Sequence, residues 1–360
     1  MGDHTLTRTA IDPVQLAKTK VSFSLRRVNL DDIKTLVSGE EVKPRSGDIV
    51  LARFDLAGQH KNLQLCSGRR SRLFPSDTVL VAYGNRYAPD QFEALVPSHL
   101  GPCSLVAGGG IASEVIDKSG KVRPASKIQP LGLAADADGR VLNLSDYAVP
   151  DLPWVEPKIP LLAVAGTAMN AGKTETVINL TRGLSNAGLR VGVIKVTGTG
   201  SGGDIWAAVD AGGAPVLDFT DAGLASTYHV SLDDLEHRSR QLISHTVRSG
   251  VDAIVIELAD GLYQQETSAL LTSNAFTSML SGLVFAAGDA MGAVAGVDWL
   301  RKNTQINVIG IGGVLTMSPM AMREAGNIIG LPVLDLKSLN NADVAMSLLQ
   351  LEAEAATGTG

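Results

Sequence analysis

Short apolar runs recur through the second half of the chain and alternate with stretches whose apolar residues are three or four positions apart. Strand-length runs that are apolar at successive positions are expected of strands buried on both faces of a parallel sheet. The stretches between them predict amphipathic helices. The pattern therefore predicts an α/β domain with a doubly wound parallel sheet. The runs lie at residues 161–166, 190–196, 215–219, 252–259, 281–288, 306–313 and 331–336.

The first half of the chain has a different pattern. Short runs of β-forming residues are separated by Gly, Asp-Gly or Pro at intervals of about a dozen residues, which is typical of a small sandwich or barrel. We therefore predict a smaller β-rich domain over residues 1–150 and the α/β domain over residues 161–352. Prolines 150, 153, 157 and 160 predict a stiff, extended linker over residues 151–160.

Composition excludes several classes of protein. The chain is 45% hydrophobic and 19% charged, which is a folding composition rather than a disordered one. A net charge of -6 argues against nucleic acid as a partner. No apolar run reaches the roughly 18 residues of a membrane span, and no apolar segment follows a basic start, so we expect no membrane association and a cytoplasmic location. Two cysteines exclude a disulfide-dense scaffold.

The first run leads into a candidate phosphate-binding loop. Gly172, Lys173 and Thr174 end the sequence GTAMNAGKT and precede a predicted helix. Backbone N–H groups at such a helix start favour an anion, the lysine can reach the β- and γ-phosphates, and the hydroxyl can bind Mg²⁺. We expect this domain to bind a phosphorylated ligand. The predicted contacts to it come from Gly166, Thr167, Asn170, Ala171, Gly172, Lys173, Thr174 and Glu175.

Other candidates lie where further runs end. Glu257 follows a buried run, at the sheet edge where ligands bind, and is predicted to hold Mg²⁺ with Thr174 and Asp204. Lys195 also ends a buried run, where a lysine is costly unless it meets an anion, so we predict a contact with substrate or γ-phosphate. Asp260 is open between metal ligand, general base and loop cap, and we place it with Lys173 and Lys195 among the catalytic candidates.

These motifs resemble those of a known superfamily. Residues 166–174 are similar to the GT-x4-GKT loop of dethiobiotin synthetase and its relatives, and the segment around Lys195 is similar to that enzyme's second strand. The sequence ELADG at residues 257–261 resembles the family's E-G-A-G-G, whose glutamate helps to hold Mg²⁺. Leu258 and Asp260 replace two of its glycines, which sets the substrate pocket apart from that of the synthetase.

The resemblance implies further expectations. The loop that carries Thr316 and Met317 lies where relatives bind the nucleotide base, and relatives form homodimers. The chain resembles a P-loop family associated with D-glutamate N-acetylation about as closely as it resembles the synthetase. Residues 1–150 resemble no family that we can name.

Three functions therefore stay open. The leading hypothesis is an ATP- and Mg²⁺-dependent enzyme, kinase-like or a ligase, that transfers a phosphoryl group to a small acidic metabolite. The second is an N-acetyltransferase whose P-loop domain binds acetyl-CoA. The third is a nucleotide-gated adaptor or binding protein. A phosphate loop indicates a phosphorylated ligand and does not choose among reactions.

Overall fold

The structure is a computed structural model that describes the backbone of residues 6–357 and the side chains of residues 6–349. It divides into two compact units. The first comprises residues up to Val149 together with Thr199–Gly203 and Phe219–His229, and the second comprises Pro150–Gly198, Asp204–Asp218 and the chain from Val230 onwards. The fold class is α/β, with a doubly wound parallel sheet in the second unit and β-structure dominating the first.

The first unit contains one short helix, α1 (Pro13–Lys18), short 3₁₀ helices and a series of strands. The strands are β1 (Thr7–Ala10), β2 (Lys20–Val21), β3 (Thr35–Ser38), β4 (Ile49–Leu56), β5 (Asn62–Gln64), β6 (Arg70–Arg72), β7 (Thr78–Tyr83), β8 (Arg86–Tyr87), β9 (Phe92–Leu95), β10 (Cys103–Ala107), β11 (Ile111–Lys118) and β12 (Ser126–Ala135).

Strand pairing closes part of the first unit into a small barrel. β12 pairs with β4, β4 with β7, β7 with β11, β11 with β10, and β10 returns to β12. Successive residues of β4 and β7 belong alternately to two buried apolar clusters, so both faces of these strands are covered. The run at residues 47–58, which has the pattern of a strand pair, forms the single strand β4 because its apolar residues fill both clusters.

A half-buried histidine makes the stability of this unit pH-dependent. Burial, with a smaller effect of the Arg86 guanidinium, lowers the pKa of His60 from 6.5 to about 4. The folded state binds a proton at His60 more weakly than the unfolded state does. The contribution of the neutral imidazole to the free energy of unfolding is therefore complete above pH 6.5 and is lost as pH falls towards 4. We expect a loss of about 3 kcal/mol over that range.

Denaturant unfolding of the wild type and of His60→Gln across this pH range measures the effect. In the variant, the free energy of unfolding is expected to lose most of its dependence on pH over this range. His99→Gln, at an exposed position of the same unit, is the control and should keep it. Equal slopes for wild type and His60→Gln would contradict the assignment.

The second unit alternates parallel strands with helices. Its strands are β13 (Leu161–Gly166), β14 (Val191–Lys195), β15 (Gly213–Asp218), β16 (Ala253–Glu257), β17 (Gly282–Ala286) and β18 (Val308–Gly312). Its helices are α2 (Lys173–Asn186), α3 (Gly202–Asp210), α4 (Leu232–Arg248), α5 (Gln265–Thr272), α6 (Asn274–Thr277), α7 (Ala290–Asn303), α8 (Pro319–Ile329), α9 (Leu336–Leu339) and α10 (Ala342–Thr357).

The sheet order in this unit is β15-β14-β16-β13-β17-β18, with every pair parallel. After β13 the chain builds β14, β15 and β16 on one side of it and then crosses to β17 and β18 on the other side. Open α/β sheets bind ligands at the carboxyl ends of strands at such a switch point. The run at residues 331–336, predicted as a strand, makes only an isolated bridge from Val333 to Ile311. Asp335, near the end of this run, caps α9, so the chain turns into a helix instead.

Residues 151–160 form no helix or strand. Within the second unit, the carbonyl of Pro153 accepts a hydrogen bond from Arg248 Nη2 at 2.7 Å. None of the helices in the part of the chain that the structure describes is long and apolar enough to cross a lipid bilayer.

Candidate functional site

β13 ends at Gly166, a six-residue loop follows, and α2 begins at Lys173. This strand–loop–helix order brings the N–H groups of the loop and of the first helical turn to one place, where they favour an anion. Asn170 has a φ of 66° and Gly172 a φ of 93°, both in the left-handed region. Such residues allow a short loop to direct successive N–H groups towards one centre.

Close backbone approaches support this loop on two sides. A Cβ on Gly261 would lie 2.3 Å from the carbonyl oxygen of Thr167, and a Cβ on Gly313 would lie 2.3 Å from that of Ala171. At Gly172 a Cβ would lie 2.9 Å from the Cα of Gly313. The loops after β16 and β18 therefore pack directly against the candidate phosphate loop, and only glycine fits at these contacts.

Lys173 is the first residue of α2, and its side chain is buried against the loop. It is 6% exposed, and its Nζ donates a hydrogen bond to the carbonyl of Ala168 at 2.7 Å. Burial lowers the pKa of Lys173 to about 8, against the opposing effect of the Glu257 and Asp260 carboxylates. A buried ammonium whose main partner is a neutral carbonyl is suited to an incoming anion, because the anion compensates the cost of removing the charge from water.

Thr174 and Glu257 meet at the position predicted for a metal ion. Glu257 is the last residue of β16 and is 3% exposed, and its Oε1 accepts a hydrogen bond from Thr174 Oγ1 at 3.2 Å. A hydroxyl and a carboxylate are the oxygen donors that Mg²⁺ prefers when nucleotide phosphates and water complete its shell. The donor set therefore fits Mg²⁺, although no group of three or more His, Cys, Asp or Glu with metal-binding geometry occurs in the described residues.

Lys195 forms ion pairs with two carboxylates. It ends β14, which pairs with β16 so that Lys195 is in register with Glu257. Its Nζ lies 3.2 Å from Glu257 Oε1 and also contacts the carboxylate of Asp204 on α3. Burial alone would lower the pKa of Lys195, but the Glu257 and Asp204 carboxylates raise it above its ordinary value. Lys195 therefore stays charged at the edge of the sheet.

The structure thus gathers the charged residues that the sequence singles out into one cluster at the carboxyl ends of β14 and β16. Asp260, buried and with a φ of 63°, is near enough to act electrostatically on Lys173. Asp204 pairs with Lys195, while Glu257 takes the hydrogen bond from Thr174. The metal role of Asp204 and the catalytic role of Asp260 stay predictions.

A pocket of about 310 Å³ adjoins the first turn of α2, where Glu175 is exposed. Thr316 and Met317 line it, in the loop that the resemblance associates with the base. Met317 is 85% exposed, which leaves an apolar surface at the mouth. Asp335, Leu336 and Lys337, at the start of α9, are not among the sequence candidates, because residues 331–336 have the pattern of a strand. The lining is Gly172, Glu175, Gly313, Val314, Thr316, Met317, Asp335, Leu336 and Lys337.

Comparison with known proteins gives no family assignment. No protein-family model matches the chain, and no curated protein sequence matches it significantly. Among solved structures, the chain is similar to the signal recognition particle receptor FtsY from Elizabethkingia anophelis in complex with GDP, at 12% identity over 57% of this chain and 68% of that one, with a TM-score of 0.39.

Two further structures are similar at the same level. The 54 kDa signal recognition particle protein from Aeropyrum pernix K1 in complex with GDP is 16% identical over 56% of this chain and 50% of that one, with a TM-score of 0.37. Chloroplast FtsY from Physcomitrella patens is 13% identical over 57% of this chain and 70% of that one, with a TM-score of 0.38.

The second unit has the topology that a phosphate-binding loop requires. Its parallel sheet has β13 at the switch point, and the glycine-rich loop after β13 opens α2 at Lys173. Thr174 meets the acidic end of the adjacent strand β16. Each of these features follows from the chain's own topology and contacts.

Proposed function

We propose that the protein is a Mg²⁺- and ATP-dependent enzyme that transfers a phosphoryl group to an anionic group of a small acidic metabolite. The observation that carries this proposal is the second lysine of the site. Lys195 adds an ammonium group beside Glu257, in addition to the loop lysine Lys173. A second fixed cation is what an enzyme needs to hold a negatively charged acceptor against a negatively charged phosphate.

The nucleotide would be held by the loop and the pocket next to it. The polyphosphate would take backbone N–H groups at the start of α2, and the ammonium of Lys173 would bind it in place of the Ala168 carbonyl. The nucleoside would occupy the pocket lined by Thr316, Met317 and Leu336. Mg²⁺, bound by Thr174 and Glu257 together with phosphate oxygens, would neutralise charge on the β- and γ-phosphates.

In the reaction, Lys195 would hold an acceptor carboxylate oxygen in line with the γ-phosphorus. The new phosphorus–oxygen bond to the acceptor forms as the bond to the β-phosphate oxygen breaks, which leaves ADP and an acyl phosphate. Lys173 would stabilise the charge that develops on the leaving oxygen. A nucleophile of the substrate, such as an amine, would then displace phosphate and complete ring closure or ligation.

The adaptor function has a specific observation in its favour. The segments Thr199–Gly203 and Phe219–His229 follow β14 and β15 in the chain, yet both belong to the β-rich unit. Inside that unit, the N–H of Gly202 donates to Gln64 Oε1 at 2.8 Å. A nucleotide-dependent change at the end of β14 would therefore reach the β-rich unit along the chain, as a nucleotide-gated binding protein requires.

Calorimetric titration of the full chain with Mg·ATP, Mg·GTP and acetyl-CoA tests these functions. We expect Mg·ATP to bind and dicarboxylates or amino acids to stimulate ADP release. Nucleotide binding with slow turnover that no acidic metabolite stimulates would support the adaptor instead. Binding of acetyl-CoA without any response to nucleotide would replace the proposal by the acetyltransferase. Tighter binding of Mg·GTP than of Mg·ATP would make GTP the nucleotide of the proposed reaction. The cytoplasmic location and the homodimeric state stay predictions from the sequence.

A further inference from the structure

One carboxylate oxygen at the site serves two partners. Oε1 of Glu257 accepts the hydrogen bond from Thr174 Oγ1 at 3.2 Å, and the Nζ of Lys195 lies 3.2 Å from the same atom. The backbone ladder fixes this arrangement, because Lys195 and Glu257 are in register on adjacent parallel strands. The oxygen that is suited to a divalent cation is therefore already in contact with an ammonium group.

The other partner of Lys195 is of a different kind. Asp204 contacts its Nζ from the first turn of α3, and the Asp204 side chain is 31% exposed, whereas that of Glu257 is 4% exposed. The buried carboxylate, that of Glu257, is thus the one next to Thr174. The more accessible carboxylate, that of Asp204, can stay paired with Lys195 when Glu257 binds a cation.

We propose that Lys195 occupies the cation position on Glu257 in the ligand-free protein and that a divalent cation displaces it, leaving Lys195 on Asp204 alone. This inference rests on the proposed function. A cation on Oε1 would repel the ammonium group from its present position, and water screens this repulsion little because the Glu257 side chain is only 4% exposed. Once Lys195 has lost the Glu257 carboxylate as a partner, its ammonium group can bind an anionic oxygen of the acceptor.

The exchange couples two binding events. Cation binding raises the affinity of Lys195 for the anionic acceptor, and by linkage the acceptor raises the affinity for the cation to the same degree. The acceptor would therefore bind more tightly when the metal nucleotide is in place. In this arrangement Asp204 is a positioning residue that acts through Lys195 and not a ligand of the cation.

Binding of Mn²⁺ alone to the full chain, measured from the electron paramagnetic resonance signal of the free ion, tests the proposal without any turnover. We expect Lys195→Met to bind Mn²⁺ about tenfold more tightly than wild type, because the competing ammonium is gone. Lys195→Gln, which keeps a polar group beside the two carboxylates, provides a second test if the methionine variant does not fold. Lys302→Met, at an exposed lysine near the end of α7, is the control for removal of a lysine and should leave the affinity unchanged.

A double-mutant cycle separates this exchange from simple charge removal. Asp204→Asn should weaken Mn²⁺ binding in the wild-type background, because Lys195 is left with Glu257, and should have no effect in the Lys195→Met background. Equal weakening in both backgrounds would make Asp204 a metal ligand and overturn the proposal. So would unchanged or weaker binding by both Lys195 variants, or no Mn²⁺ binding by any form. Loss of the proposed function would appear separately, as absence of Mg·ATP binding in the calorimetry.

Discussion

Replacing Lys173 by alanine is expected to lower the affinity for Mg·ATP by at least about a hundredfold, which corresponds to about 3 kcal/mol of binding free energy. The lysine is buried inside the loop and its ammonium group is held by the carbonyl of Ala168, a partner that a phosphate oxygen can replace. Charge-assisted hydrogen bonds to phosphate are among the strongest contacts that a side chain makes. Calorimetric titration of wild type and variant measures the loss directly.

The fold should survive this change. Burial lowers the pKa of Lys173, so the folded chain already disfavours its charge, and removing that charge offsets part of the lost packing of the side-chain stem. Circular dichroism and the melting temperature should therefore stay close to those of wild type. Lys302→Ala, at an exposed lysine near the end of α7, is the matched control and should bind nucleotide normally. An unchanged affinity in Lys173→Ala would show that the loop is not a phosphate site.

Gly313→Ala is expected to destabilise the second unit by more than about 3 kcal/mol and to weaken nucleotide binding at the same time. Gly313 has φ 94° and ψ -167°, a region that is essentially confined to glycine. A Cβ there would lie 2.3 Å from the carbonyl oxygen of Ala171 and 2.6 Å from the N of Ala287. The neighbouring N–H of Val314 donates to the Ala171 carbonyl at 3.0 Å, so a shift would displace the phosphate loop.

Gly330→Ala is the matched control for this experiment. Gly330 also has a left-handed backbone, with φ 73°, but a Cβ there would meet nothing within 4 Å. Its substitution should lower the free energy of unfolding by only about 1 kcal/mol, because only the left-handed backbone conformation is unfavourable for alanine there. Thermal unfolding and Mg·ATP titration of both variants separate steric contact from backbone strain. Equal effects of the two substitutions would mean that Gly313 does not support the loop.

Periodicity and local motifs suffice to predict much of this fold. The parallel sheet follows from runs that are apolar at every position, and the phosphate loop follows from a glycine–lysine–threonine sequence between a strand and a helix. Both signals are local in the chain. The exception, at residues 331–336, is also instructive, because an apolar run of strand length forms a single bridge when its last residues cap and begin a helix.

The arrangement of charges within the site is not local and could not be predicted in the same way. Lys195 and Glu257 are in register only because β14 and β16 are neighbours, and strand order is a property of the folded sheet. The pairing of Asp204 with Lys195 depends in turn on where α3 begins. The sequence therefore identifies the chemically important residues, while the choice of partner for each depends on the topology.

The composition of the two compact units has a consequence for how such a chain can be inherited. Thr199–Gly203 and Phe219–His229 are encoded far downstream of the proline-rich residues 150–160, yet they complete the β-rich unit. Recombination within residues 150–160 would join the upstream gene segment to another gene. The encoded β-rich unit would then lack Thr199–Gly203 and Phe219–His229. The two halves are therefore expected to pass through evolution as one indivisible gene, in contrast to modules that are freely shuffled.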